Sequence, residues 1–137
     1  MNRVLLLLAF SLAAVEVNAA DIEVFYSSLS GHSVDKQELV NHTAQYHDLD
    51  AGRIAQQKIN KLVAGTKREA MKRFSTLQNM PEGQTLVKAV ADGYQSVGRA
   101  FQLELSRLPA IVFNGRYVVY GTTDIRMALR EYEVHEK

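Results

Sequence analysis

The sequence predicts an α/β domain: a mixed central sheet of about four strands with flanking helices, ending in a β-hairpin followed by a helix. Three observations carry that expectation. The stretch 108–121 holds two β-branched and aromatic runs around Asn114-Gly115, the pair that best tolerates the positive φ values of a type I′ turn. Both runs are apolar on both faces, Ile111 and Phe113 against Val112, and Val118 and Tyr120 against Val119. Such strands belong inside a sheet that is covered on both sides. The third observation is order: strand-like sequence near the start, helical periodicity through the middle, then this hairpin.

Taken along the chain, Ile22-Glu23-Val24-Phe25-Tyr26-Ser27 reads as the first strand, and 29–34 as a Ser/Gly-rich loop. A weaker strand is expected near 43–49. Asp50 is placed to cap a helix whose apolar positions are Ala51, Ile54, Ala55, Ile59 and Leu62, closed by Gly65. Thr66-Lys67-Arg68-Glu69 has the spacing of a capping box, opening a helix with Ala70, Met71, Phe74 and Leu77 on one face. Pro81 interrupts it and reads as lying near the start of the next helix. The longest helix is expected from about 84 to 107, with Leu86, Val90, Tyr94, Val97, Phe101 and Leu105 as its buried stripe. Gly93 and Gly98 each cost about 1 kcal/mol in a helix, so both read as places where another element packs close. Pro109 precedes the third strand, where its missing N–H breaks no ladder. Thr122-Thr123-Asp124 caps a last helix that buries Ile125, Ala128, Leu129 and Tyr132.

Composition bounds the function. The chain has 137 residues, no cysteine, and a net charge of +1. Residues 1–19 read as a secretory signal peptide: Arg3, an apolar run over 4–15, then Val17-Asn18-Ala19 with small residues at −3 and −1. The run is shorter than the roughly 20 residues that a spanning helix needs, so no stable membrane span is expected after cleavage. The mature chain, 20–137, has the size of a single domain. Without cysteine there is no thiol chemistry and no disulfide. The balanced charge gives no general attraction to nucleic acid.

The element order, with X-Pro leading into the third strand and a short helix after the fourth, resembles the thioredoxin fold. That resemblance implies a cis Leu108-Pro109 bond beside the end of strand one, with the backbone of Leu108 offered to a bound peptide. The segment Phe25-Tyr26-Ser27-Ser28-Leu29-Ser30-Gly31-His32-Ser33 is similar to the active-site segment of disulfide isomerases, with Ser30-Gly31-His32-Ser33 where they carry Cys-Gly-His-Cys. Both sulfur positions are serine, which removes the redox chemistry. The block 108–124, with the Ile22-Glu23-Val24-Phe25 strand and the Asp48-Leu49-Asp50-Ala51 step, looks like the thioredoxin-like proteins encoded by integrating conjugative elements. Those proteins are exported and travel with mating-pair type IV secretion genes. The resemblance implies a periplasmic, non-catalytic component of the conjugation apparatus that binds other mating-pair proteins. The alternative is a redox-dead, thioredoxin-fold chaperone or holdase for exported proteins. The segment 65–83 matches nothing in that resemblance.

The expected binding surface is therefore Ser27, Ser28, Ser30, His32 and Ser33 with Leu108 and Pro109, and no catalytic residue, cofactor or metal is expected. A Ser-His hydrolase would need a strained elbow of the Gly-x-Ser-x-Gly kind, and none occurs. His42 and His47 lack the i, i+4 spacing of paired ligands on a helix, so the histidines read as surface residues. Asn41-His42-Thr43 matches a glycosylation acceptor, a coincidence if the export is bacterial. Lys58, Lys61, Lys67, Arg68, Lys72 and Arg73 form a basic stretch without interleaved aromatics, read as a solvated face or a docking patch for an acidic partner and not as a nucleic-acid surface.

Overall fold

The computed structural model describes residues 19–36, 39 and 42–136. The expected leader, save residue 19, and the acceptor Asn41 lie outside the described residues. Four strands, β1 (Asp21–Tyr26), β2 (Thr43–Asp48), β3 (Ala110–Phe113) and β4 (Tyr117–Tyr120), form one mixed sheet in the order β2-β1-β3-β4. β1 runs parallel to β2 and antiparallel to β3, and β3 pairs antiparallel with β4. The helices are α1 (Ala51–Leu62), α2 (Lys67–Gln78), α3 (Pro81–Gln102) and α4 (Ile125–His135).

The apolar strand residues divide between two faces. Ile22, Val24, Ile111, Phe113 and Val119 pack with Ile125, Ala128 and Tyr132 of α4. Phe25 and Val112 face the other way, onto Ala100 of α3. All four residues of β3 are buried, as expected of a strand covered on both sides. At the hairpin, Asn114 (φ 52°) and Gly115 (φ 65°) take the positive angles, and the Arg116 amide donates to the Phe113 carbonyl at 3.1 Å. The capping box is complete: the Glu69 amide donates to Thr66 Oγ1 at 3.4 Å and the Thr66 amide to Glu69 Oε2 at 2.9 Å. Asp124 caps α4 by accepting from the amides of Arg126 and Met127.

The longest helix starts near Pro81 as expected, but its end and its buried face depart from expectation. α3 begins at Pro81, which sits at the first helical turn where no N–H is needed, and stops at Gln102. Glu104 then takes φ 51°, turning the chain so that Leu103 and Leu105 pack under the sheet ahead of β3. The helix is also rotated: Tyr94, Val97 and Phe101 are exposed, and the inward line is Leu86, Gly93 and Ala100. Close approach is the reason. A Cβ on Gly93 would lie 2.2 Å from the Gly52 amide nitrogen, so α1 crosses α3 backbone to backbone there. Gly98 has nothing within 4 Å of its Cβ position and does not serve such a contact. On α2, Leu77 is buried whereas Met71 and Phe74 are exposed.

Candidate functional site

The register Phe25↔Ala110 puts the loop after β1 and the Leu108-Pro109 step, a cis peptide, at the same end of the sheet. β1 ends by giving way to a 3-10 turn over Ser28–Ser30, capped by the Ser27 side chain. Ser27 is buried, and its hydroxyl is fully used. It has one proton, which goes to Asp50 Oδ2 at 2.5 Å because a carboxylate can only accept. Its lone pairs take the Ser30 amide at 3.2 Å and the Ser30 hydroxyl at 2.8 Å.

Asp50 stands at the start of α1 but does not cap it through its side chain. Its carboxylate reaches across to the loop instead, accepting from the Leu29 amide at 3.1 Å and from Arg53 at 2.8 Å as well as from Ser27. The Ser27 and Arg53 hydrogen bonds hold its pKa below the usual carboxylate range. Asp48 Oδ1 accepts from the amides of Ser28 and Asp50. Two carboxylates from the β2–α1 corner therefore pin the backbone of the loop.

His32 is half-buried, and its Nδ1 accepts from the Ser27 amide at 3.1 Å. That bond occupies the ring lone pair on the side of the turn, and the Ser27 hydroxyl is committed to Asp50. Ser27 therefore makes no hydroxyl pair with the His32 ring. Ser28, Ser30 and Ser33 are exposed, and the Ser33 carbonyl accepts from Thr123 Oγ1 at 2.7 Å, tying the loop to the segment before α4. Leu108 and Pro109 are half-buried, and the Pro109 carbonyl accepts from the Gly121 amide at 2.9 Å. Leu29, at the top of the turn, is 57% exposed. Spacing gave no hint of it, because only the pinned backbone makes its side chain a fixed apolar knob.

A second polar cluster was not visible in the sequence. Glu23, in the middle of the central strand, is buried and takes a bidentate contact from Arg99 of α3, at 2.8 Å from Nε and 2.6 Å from Nη2. The Arg99 hydrogen bond, against the opposing effect of burial, holds the Glu23 pKa below its ordinary value. His47 is not a surface residue as expected: its ring stacks on Phe25 at 4.5 Å and its Nδ1 lies 3.1 Å from Ser96 Oγ. Burial lowers its pKa. Its Nε2 is 3.4 Å from Glu23 Oε2 without forming a hydrogen bond. These groups line an open cleft of about 490 Å³ with Gln45, Gln95 and Gln102. Among the described residues no group of three metal-ligating side chains comes together, and no helix is long and apolar enough to cross a membrane.

No curated protein and no solved structure significantly matches the chain. A family model does, over residues 19–137, under the description "Protein of unknown function (DUF1525)". With its loop, its sheet and its helices all inside that match, the chain belongs to the DUF1525 family.

Proposed function

We propose that this chain is a thioredoxin-like, non-catalytic periplasmic component of a conjugative transfer apparatus, acting by binding other mating-pair proteins. The observation that carries the reading is the junction of the Ser27–Ser33 loop with the Leu108-Pro109 step that enters β3: a parallel β1/β2 pair beside an antiparallel β3/β4 hairpin, with both segments at one end of the sheet. Thioredoxin-like domains have this strand arrangement and bind extended peptide at that junction. Serines at the two sulfur positions leave recognition without redox chemistry. The resemblance of 108–124 to proteins of integrating conjugative elements supplies the conjugative context.

Main-chain groups of the Leu108-Pro109 step ahead of β3 give affinity, and side chains beside it give selectivity. The pinned loop presents Leu29 in one place, so little ordering entropy is lost on binding. An in-frame deletion of the gene in a donor strain tests the role. Transfer of the host element is expected to collapse and to return with a plasmid-borne copy. Unchanged transfer would overturn the conjugative reading, and binding of many unfolded clients by the purified protein would then favour the chaperone.

A further inference from the structure

A different surface carries its own chemistry. α1 and α2 together hold seven cations, Arg53, Lys58, Lys61, Lys67, Arg68, Lys72 and Arg73, and one carboxylate, Glu69. That is a surplus of six in a chain whose net charge is +1. Glu69 is engaged at the helix start by Thr66, Arg53 pairs with Asp50, and Lys58 pairs with Glu82 at 3.2 Å. Lys61, Lys67, Arg68 and Lys72 have no acidic side chain within ion-pair distance among the described residues.

Two of these cations, Lys72 and Arg73, border a groove. Leu62 from the end of α1, Leu77 from α2 and Met80 ahead of α3 line a concave volume of about 470 Å³, bordered by Lys72, Arg73, Thr76 and Glu82. Leu62 and Met80 are 43% and 46% exposed, a large apolar exposure for side chains that flank a buried leucine. Arg73 donates to the Ala64 carbonyl, which anchors the rim to the α1–α2 turn.

We propose that this groove docks an acidic amphipathic helix of a partner protein. Charge complementarity selects the occupant: cations at the rim of an apolar floor suit a helix with apolar anchors at i, i+3 or i+4 and i+7, flanked by Glu or Asp. Nucleic acid would leave the apolar floor uncovered and finds no aromatic platform there. A bilayer requires an apolar face that can lie flat in the interface, and here the apolar side chains line a hollow. The surface is separate from the Ser27–Ser33 loop, so its occupancy does not depend on the conjugative role.

The test uses protein purified from expression of the complete chain and three fluorescent helical peptides. The peptides share one Leu-rich apolar face and differ only in their flanking residues, which are all Glu, all Gln or all Lys. Anisotropy titrations are expected to rank Glu above Gln above Lys. Lys72→Glu, at an exposed position with no ion pair, is expected to weaken the Glu peptide by about tenfold without changing the melting temperature. Equal affinity for the three peptides would overturn the proposal. So would binding to phosphatidylglycerol vesicles or duplex DNA with no binding to the Glu peptide.

Discussion

Glu23 sits where a strand residue would ordinarily be apolar, and its environment explains how it is tolerated. Arg99 meets both carboxylate oxygens, and the pair ties α3 to the centre of the sheet. Removing only the cation leaves a buried charge, so Arg99→Ala is expected to destabilise the fold by about 3 kcal/mol, whereas replacing both partners with leucine costs far less. Urea melts of the single and double variants check this through the coupling between the two sites.

Acid acts on the same cluster. Glu23 has a folded-state pKa below its ordinary value of 4.5, so its stabilisation is complete above that pH and is lost as pH falls through the folded value. His47, held neutral by burial, has a folded pKa below 6.5, so the unfolded chain takes up its proton first. Stability is therefore expected to decline as pH drops below about 6.5, and His47→Gln to remove the first part of that decline in a pH series of melts.

The serines divide by the same logic. Ser27→Ala strips a donor from the buried Asp50 and an acceptor from the Ser30 amide, an expected cost of about 1–3 kcal/mol. Ser30→Ala leaves Ser27 bonded to Asp50 and is expected to cost less than about 0.5 kcal/mol.

At the scale of elements, what is local in sequence was legible. Asn114-Gly115, the Thr66–Glu69 box and the Asp124 cap each place their requirement within a few residues, and each forms as expected. The close approach at Gly93 was legible, but the rotation of α3 that follows from it was not. Hydrophobic periodicity points to the large residues Tyr94, Val97 and Phe101, but the packed face is chosen by Gly93 and Ala100, where smallness permits close approach. Gly93→Ala tests that. Alanine is the better helix former by about 1 kcal/mol, yet its methyl would lie 2.2 Å from a backbone nitrogen of α1. The substitution is expected to lower the melting temperature, whereas Gly98→Ala, with open space around it, is expected to raise it.

At the scale of the molecule, the two polar clusters of the sheet differ in how they are written in the sequence. The placement of the Ser27–Ser33 loop and the Leu108-Pro109 step at one end of the sheet was legible from resemblance, but the carboxylates that pin the loop were not. Asp50 reads as a helix cap, and its bond to Ser27 spans 23 residues and depends on β1 pairing with β2. The Glu23–Arg99 pair spans 76 residues and leaves no periodic trace. Fold order is written in local signals, whereas polar pairing across the sheet is written only in three dimensions.

The proposed recognition without chemistry makes a sharp demand on the loop: its exposed apolar side chain is expected to matter and its outer hydroxyls are not. The most direct test is transfer frequency in the deletion donor complemented with two variants, each verified to melt like the parent. Complementation by Ser30→Ala/Ser33→Ala is expected to restore transfer fully, and complementation by Leu29→Asp to fail. Full transfer with Leu29→Asp and loss with the double serine variant would contradict binding at this surface and return the serines to a chemical role.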